Sequence, residues 1–352
     1  MAIGVLFQRN DTIETLSIAQ NGTLVPITIS LPGLMYNRNL TLDIFKIVLA
    51  FMVIGIHSNF LSELTTEGYY LITAGIFRIA VPIFFIINGY YFISIASTDK
   101  LLQWSKRVVI LYLFWTIFYA YFWLKPLTLN FVGMMSVVET LIVGYHHLWY
   151  LIGMLGAGLM TYVFRDRTRT GIQLALLCFV LGVMVQYIGN YHLMPSTFAD
   201  EIFNIGFTHR NFLLLGFPFF YLGFFIRKHQ LFAQTSTSTL YIAALIGIGL
   251  LLGESWYNLH QPARTGVFDN YLSLIWVCPA LFLLVMRSQR TTDNKHLTHF
   301  STAIYLIHPF GLSVLTKIHP WENTPMAIGC VLLSMAFSLV LIQMYKRVGY
   351  IL

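Results

Sequence analysis

Residues 43–57 read DIFKIVLAFMVIGIH, a stretch apolar enough to lie in a lipid bilayer that nevertheless carries Asp43 and Lys46 at one end and His57 at the other. Apolar windows of about 20 residues, the length that crosses a hydrocarbon core of ~30 Å, recur along the chain. Long continuous apolar runs are typical of membrane helices, whereas a membrane barrel shows alternation in segments of about 10 residues. The sequence therefore predicts an all-α fold, a polytopic transmembrane helical bundle.

The composition of the whole chain favours the same fold class. Hydrophobic residues make up 57% of the 352 positions and charged residues 10%, against roughly 45–50% and about 25% in soluble domains. We expect about ten spans in one membrane domain, residues 38–352, after a cytoplasmic leader, residues 1–37, that lacks a signal-peptide pattern. The ten windows are 40–61, 71–95, 106–124, 147–164, 171–189, 210–227, 238–256, 270–287, 297–317 and 325–346.

The distribution of Lys and Arg orients these spans, because cytoplasmic loops collect basic residues. Of the 21 basic residues, fifteen fall in one set of alternating loops, four fall in the other set, and Lys46 and Arg78 lie inside spans. Both termini are therefore expected in the cytoplasm. The net charge of +7 then reflects topology and anionic lipid headgroups, so we expect a lipid bilayer as partner and no nucleic acid.

Three segments on the predicted outer side are longer than a tight turn: 125–146, 190–209 and 257–269. The first has apolar residues at helical spacing, and the sequence leaves open whether it spans the bilayer or lies at the outer interface. The three cysteines all fall inside predicted spans and show no zinc-ligand spacing, so we expect neither a disulfide framework nor a metal site.

Asp43, Lys46 and His57 lie on one face of the first predicted helix. Eleven residues separate Lys46 from His57, a rotation that is about 20° from three full turns, and the rise along the axis is ~16 Å. Asp43 and Lys46 are spaced to pair. Snorkelling of Lys46 and one interhelical hydrogen bond from His57 would explain the face structurally. Intramembrane ionisable groups also commonly mark a functional site, and imidazole suits proton transfer; both explanations stay open.

The segment RNLTLDIFKIVLAFMVIGIH, 38–57, resembles the first-helix signature of the integral-membrane acyltransferase 3 family, in which a histidine follows a basic residue after ten intervening positions, here Lys46 and His57. The similarity extends over roughly 38–346, and one departure is Asn88, where serine is common in the family. Four later segments resemble further family motifs in the right order: FRIAVPIFFIINGYYF at 77–92, HLWYL at 147–151, FPFFYLGFFIR at 217–227 and FSTAIYLIHPF at 300–310.

The resemblance implies transfer of an acyl group, most often acetyl from acetyl-coenzyme A (acetyl-CoA), to a hydroxyl of an envelope glycan such as lipopolysaccharide O-antigen or exopolysaccharide, at the bacterial cytoplasmic (inner) membrane. In that picture His57 acts as general base or as the residue that carries the acyl group, Arg78 is a second catalytic residue, and Asp43 and Lys46 bind acetyl-CoA. The candidate substrate-binding residues are Asn88, His147, Trp149, Arg210, Tyr305 and His308.

Several of these candidates have structural alternatives. Arg78 would equally serve as partner of a buried carboxylate, Trp149 is placed for an interfacial aromatic belt, and Arg210 is close in sequence to Asp200 and Glu201.

A rival function comes from a different class of protein. Membrane portions of some vancomycin-resistance serine racemases resemble the same family, and THRNFLLLGFPFF at 208–220 is similar to them. Uptake of a small amino acid through the membrane is therefore the alternative.

Overall fold

A computed structural model describes residues 38–124, 130–262, 264, 266–288, 290–292 and 296–352, together with the backbone of 15–20 and 23–28. Most of this part of the chain is α-helical, which confirms the all-α prediction. The helices in chain order are α1 (Leu40–His57), α2 (Thr66–Gly68), α3 (Ala80–Tyr91), α4 (Thr98–Phe118), α5 (Ala120–Leu124), α6 (Phe131–Val143), α7 (Trp149–Val163), α8 (Thr168–Asn190), α9 (Phe198–Phe203), α10 (Gly206–His209), α11 (Phe217–Lys228), α12 (Leu231–Gln234), α13 (Thr237–Leu259), α14 (Leu274–Met286), α15 (His296–Ile318) and α16 (Asn323–Val348).

Two short pairs of strands accompany the helices. β1 (Thr15–Gln20) and β2 (Thr23–Thr28) form an antiparallel hairpin. β3 (Arg38–Asn39) pairs antiparallel with β4 (Thr291–Thr292) and so ties the start of α1 to the segment that precedes α15. The rest of the expected leader, residues 1–37, lies outside the described residues, and its cytoplasmic location stays a prediction.

A helix occupies each of the ten predicted windows. Helices α6 and α7 together form one further possible span, although they are bent by 47° relative to each other. Helix α14 is apolar but shorter than a membrane-spanning helix. The structure thus confirms a helical bundle with several possible membrane spans, while the total of ten and the side of the termini stay predictions. Seven helical segments of the described residues are long and apolar enough to cross a bilayer by themselves: Leu40–His57, Thr66–Ser94, Thr98–Phe118, Thr168–Asn190, Gly206–Lys228, Thr237–Leu259 and Asn323–Val348.

The segment 125–146 contains the helix that its apolar spacing indicates. α6 begins after Asn130, whose side chain accepts a hydrogen bond from the backbone of Gly133. Its apolar side chains, such as Phe131 and Ile142, are mostly exposed, as expected for a helix that faces lipid. Residues 125–129 lie outside the described part, and the choice between spanning and interfacial placement stays open.

Helices α3 and α11 form a close crossing in the centre of the bundle. A Cβ atom on Gly89 would lie 1.8 Å from the backbone oxygen of Phe220, and one on Gly223 would lie 2.0 Å from that of Ile86. Only glycine allows two backbones to approach this closely. The crossing holds α3 against α11. Helix α3 follows Arg78, and α11 begins a few residues after Arg210, a candidate substrate-binding residue.

Helix α1 is anchored at its first turn. The side chain of Asn39 accepts a hydrogen bond from the backbone N–H of Leu42, the usual N-cap arrangement, and it donates to the backbone oxygen of Ser288 at 3.1 Å. α1 then packs along α15 and also contacts α3 and α16. Its polar face is therefore turned into the bundle.

Candidate functional site

Four histidine rings meet at the C-terminal end of α1. The ring centroid of His57 lies 4.4 Å from that of His146 and 5.1 Å from that of His308. The ring of His147 lies 5.1 Å from that of His308. We call these four residues the histidine cluster. Three helical elements build it: α1, the 3-10 turn His146–Leu148 before α7, and α15.

Several ring nitrogens of the histidine cluster have no hydrogen-bond partner. Nδ1 of His308 lies 2.7 Å from the backbone oxygen of Tyr305; because a carbonyl only accepts, this nitrogen carries the ring proton and Nε2 is the proton acceptor. Nε2 of His308 and both ring nitrogens of His147 are buried and unpartnered among the described residues. Buried polar atoms are normally hydrogen-bonded, so these nitrogens mark a place where a ligand or a transferred proton fits.

The cluster opens towards solvent at His146. His146 is exposed, whereas His147 and His308 are buried. The backbone of His146 has a φ of 50°, a left-handed conformation that is uncommon for non-glycine residues but in which histidine is enriched. Sequence reasoning selected His147 and missed its neighbour. The adjacent pair of histidines was the available signal, but helical spacing could not show that the His146 ring contacts His57 on α1 and the His147 ring contacts His308 on α15.

Tyr305 braces the turn that carries His147, and Asn88 is bonded within the bundle to Phe84 and Tyr150. The hydroxyl of Tyr305 donates to the backbone oxygen of His147 at 2.8 Å. The amide nitrogen of Asn88 donates to the backbone oxygen of Phe84 and to the hydroxyl of Tyr150, both at 2.8 Å. Both N–H donors of Asn88 are therefore in use. Contact of these residues with substrate stays a prediction, and a hydrogen bond from Asn88 to substrate would replace one of these two bonds.

A carboxylate that sequence reasoning missed, Asp269, binds both predicted functional arginines. Asp269 accepts a hydrogen bond from Arg78, and Nη1 of Arg210 lies 3.4 Å from its other oxygen. Burial by itself raises the pKa of Asp269, but Arg210 and Arg78 outweigh that effect and hold the pKa well below its ordinary value. Arg78 therefore pairs with a carboxylate, one of the two roles that the sequence allowed for it. Arg210 pairs with Asp269 and not with Asp200 or Glu201 of α9.

A buried glutamine and a partly buried glutamate hold the loop that carries Asp269. Oε1 of Gln186 accepts from the backbone N–H groups of Asp269 at 2.8 Å and Asn270 at 3.0 Å. Oε2 of Glu254 accepts from the backbone N–H of Ser273 at 2.9 Å and from its hydroxyl at 2.6 Å. The loop 257–269 stood out in the sequence for its length only. No local pattern could show that its final residue reaches two distant arginines.

Arg210 connects Asp269 to the histidine cluster. Its guanidinium carbon lies 5.5 Å from the centroid of the Trp149 ring, a distance typical of a cation–π contact. The ring of Trp149 therefore packs against the guanidinium group of Arg210. Trp149 directly follows the turn His146–Leu148, which contains two members of the histidine cluster. Substrate binding by Trp149 stays a prediction.

A separate charged group lies at the other end of α1. Nζ of Lys46 lies 2.6 Å from Oδ1 of Asp43, Nε of Arg38 lies 3.7 Å from Oδ2, and the hydroxyl of Thr298 on α15 donates to Asp43 at 2.8 Å. Asp43 and Lys46 are 3% and 5% exposed. We call these four residues the aspartate cluster. The lysine and aspartate pair as their spacing indicated, and binding of acetyl-CoA to them is not tested by this geometry.

Both ends of the polar face of α1 contact α15. Asp43 accepts from Thr298, and His57 meets His308 fourteen residues further along α1 and ten residues further along α15. These contacts agree with the prediction from helical spacing that Asp43, Lys46 and His57 lie on one face of α1. Within the described part of the chain, no three His, Cys, Asp or Glu side chains are arranged to hold a metal ion.

These features define a multi-pass helical membrane protein with polar groups built into its interior. The model of the acyltransferase 3 family, described as an acyltransferase domain, matches residues 39–343. The chain therefore belongs to that family, and the resemblance seen in the sequence is confirmed.

Similar curated proteins have racemase names. A serine/alanine racemase of Enterococcus gallinarum is 29% identical over 293 residues, which cover 78% of this chain and 41% of the relative. An amino-acid racemase of Enterococcus faecalis is 24% identical over 301 residues, 81% of this chain and 42% of the relative. The chain thus spans less than half the length of these relatives. No solved structure matches it.

Proposed function

We propose that the protein is a membrane-bound O-acyltransferase that moves an acetyl group from cytoplasmic acetyl-CoA to a hydroxyl of an extracytoplasmic envelope glycan, such as lipopolysaccharide O-antigen or exopolysaccharide. Family membership supports acyl transfer. The observation that carries the proposal is the histidine cluster with its unpartnered ring nitrogens. The bacterial cytoplasmic (inner) membrane fits this function, because donor and acceptor then lie on opposite faces of the bilayer.

His57 is the proposed general base. It takes the proton of the acceptor hydroxyl while the hydroxyl oxygen bonds to the carbonyl carbon of the acetyl thioester. The carbon–sulfur bond breaks, and the proton passes from His57 to the leaving thiolate of coenzyme A, so the imidazole ends neutral. In the alternative route His57 holds the acetyl group before the hydroxyl attacks. Both routes need the same imidazole.

Arg210 suits stabilisation of the negative charge that develops on the thioester oxygen. A preorganised positive charge at that point lowers the barrier. The side chain of Arg210 is 37% exposed and its contact with Asp269 is long, at 3.4 Å, while its guanidinium carbon lies 5.5 Å from the ring of Trp149, which follows the turn with His146 and His147. Arg78 is buried and bound to Asp269, which suits a role in positioning that carboxylate. The direct catalytic role that the resemblance implies for Arg78 stays a prediction.

The aspartate cluster is the proposed donor end of the site. Two cations, Lys46 and Arg38, surround one carboxylate, Asp43, so the group has a net charge of +1 that favours the phosphates of coenzyme A. The side chain of Arg38 is 16% exposed and that of Lys46 is 6% exposed. Arg38 is therefore the more accessible cation, and Lys46 keeps Asp43 in place.

The test of this function uses the full chain in lipid nanodiscs with acetyl-CoA and glycan extracted from a bacterial envelope. We expect release of free coenzyme A thiol and an added acetyl mass on the glycan, with both lost in His57→Gln. Thiol release without acetylated glycan would contradict the proposed acceptor. The absence of thiol release from the folded wild-type protein would contradict acyl transfer from acetyl-CoA.

Uptake of a small amino acid is the second candidate, and the racemase names of the relatives favour it. Under that function, proteoliposomes that contain the chain would accumulate radiolabelled serine or alanine while acetyl-CoA stays intact. Thiol release that depends on His57, without amino-acid accumulation, would exclude it.

A further inference from the structure

A pocket of about 510 Å³ is lined by Arg210 and Asp269, at the end of the bundle that the basic-residue distribution predicts to be extracytoplasmic. Its size is in the range of small-molecule sites. Its lining includes Arg210 and Asp269, together with His192 and Asp200 from the segment after α8. The pocket thus combines two of the three longer segments of the predicted outer side.

Two pocket-lining side chains contain buried polar atoms without a partner. Nδ1 of His209, a residue that is only 7% exposed, and Oδ1 of Asp200 have no hydrogen-bond partner among the described residues. The other oxygen of Asp200 lies 2.7 Å from Nδ1 of His192. Because unsatisfied buried groups carry a desolvation cost, a ligand that offers both donors and acceptors would be stabilised here. Hydroxyl groups have both properties.

The charges around the pocket disfavour an anionic ligand. Three carboxylates line it, those of Asp200, Glu201 and Asp269. Two guanidinium groups oppose them, Arg210 in the wall and Arg78 behind Asp269. These five side chains together have a net charge of −1, and both arginines pair with Asp269, Arg210 through the longer contact of 3.4 Å. A negatively charged sugar would therefore be repelled, whereas an uncharged polyol would not.

Arg210 places this pocket next to the reacting groups. It lines the pocket, and its guanidinium carbon lies 5.5 Å from the centroid of the ring of Trp149, the residue that follows the turn His146–Leu148. We propose that the pocket is the acceptor subsite and that it takes an uncharged sugar of a glycan in preference to an acidic one. This inference rests on the proposed acyl transfer. It adds the place of acceptor binding and the charge class of the acceptor.

The experiment measures binding of sugars to the full chain in nanodiscs by calorimetry, without acetyl-CoA. The probes are uncharged disaccharides of several linkages, including maltose, cellobiose and lactose, each compared with a uronic-acid disaccharide. We expect at least one uncharged probe to bind, and every acidic probe to bind at least about 10-fold more weakly. Binding of no uncharged probe, or equal binding of acidic ones, would overturn the inference.

Asp200→Asn tests the unpartnered carboxylate. We expect it to weaken binding of the uncharged sugar about 10-fold, because a charged acceptor of the ligand's hydroxyl is lost. The matched control is Asp166→Asn. Asp166 is 87% exposed and lies just before α8, so the length of that 23-residue helix places it roughly 33 Å from the pocket. Unchanged sugar binding in Asp200→Asn would contradict the proposal.

Glu201→Gln provides a second measurement that does not depend on a buried residue, since Glu201 is exposed. Removal of one negative charge from the pocket lining should lower the ratio of the affinities for uncharged and acidic sugars several-fold. This difference between variant and wild type should become smaller at high salt. A preference that does not change would overturn the charge argument.

Thiol release from acetyl-CoA separates this inference from the proposed function. Release that depends on His57, in a protein that binds no uncharged sugar, refutes the pocket assignment and leaves acyl transfer standing. Sugar binding that depends on Asp200, without thiol release, refutes acyl transfer and leaves the pocket as a sugar site.

Discussion

The two ends of α1 show opposite ways of placing polar groups inside a membrane bundle. In the aspartate cluster each charged group has an opposite charge within 4 Å, and Asp43 also accepts from Thr298. In the histidine cluster the rings of His57, His146 and His308 lie 4.4–5.1 Å apart, and buried nitrogens have no partner. Folding pairs every charge of the aspartate cluster, although Oδ2 of Asp43 accepts no hydrogen bond, and it leaves buried ring nitrogens of the histidine cluster without a partner among the described residues. One helix therefore has an ion-paired end and, under the proposed function, an end at which proton transfer takes place.

His57→Gln should give the largest effect. If the histidine cluster performs proton transfer, loss of this imidazole lowers kcat by about 10²–10⁴-fold and leaves the unfolding temperature within a few degrees of wild type. Thiol-release kinetics and thermal unfolding in detergent measure the two quantities. His319→Gln, an exposed histidine on the segment after α15, is the matched control and should change neither. Full activity in His57→Gln would contradict a role of the histidine cluster in proton transfer.

Asp43→Asn should show the opposite profile, with stability as the main loss. It leaves Lys46 as an unpaired buried cation, which typically costs about 3–5 kcal/mol. Thermal or denaturant unfolding in detergent measures this cost, and the double variant Asp43→Asn, Lys46→Met should recover much of it. The exposed Asp166→Asn serves as control. Impaired use of acetyl-CoA is also expected, because the aspartate cluster is the proposed donor end. Normal stability of Asp43→Asn would contradict the cost assigned to the unpaired cation.

Asp269 should make part of the stability dependent on pH. Because Arg210 and Arg78 hold its pKa below the ordinary value despite burial, its contribution is fully present above the unfolded-state pKa of about 3.9. The contribution declines below that pH and is lost as the pH falls through the folded-state pKa. Unfolding temperatures between pH 2.5 and 7 should therefore show a gap between wild type and Asp269→Asn that narrows below about pH 4. A gap that is constant with pH would contradict the ion-pair explanation.

Tyr305→Phe should give the smallest effect. It removes one hydrogen bond, to the backbone oxygen of His147, with a cost of about 0.5–1.5 kcal/mol. We expect a modest fall in kcat, because the turn that carries His146 and His147 loses a brace, and a small fall in unfolding temperature. Tyr241→Phe, a 60% exposed tyrosine of α13, is the control. A loss as large as that of His57→Gln would indicate direct participation of the Tyr305 hydroxyl.

Local patterns predicted the helices and one end of the site well. A helix lies at each apolar window, and Asp43 and Lys46 pair as their three-residue spacing indicates. The same spacing arguments could not find Asp269, whose partners Arg78 and Arg210 are 191 and 59 residues away. They also missed His146, because its inward turn depends on a left-handed backbone conformation.

The sequence by itself determined the membrane bundle, the polar face of α1 and the family, because apolar length, helical periodicity and motif spacing are properties of neighbouring residues. Only the tertiary structure decided which polar groups are satisfied and which are left open. That distinction depends on contacts between α1, α15, the turn before α7 and the loop before α14, elements far apart in the chain. Their side chains meet because each helix must bury its polar face against another, and the order of residues along the chain does not state which one.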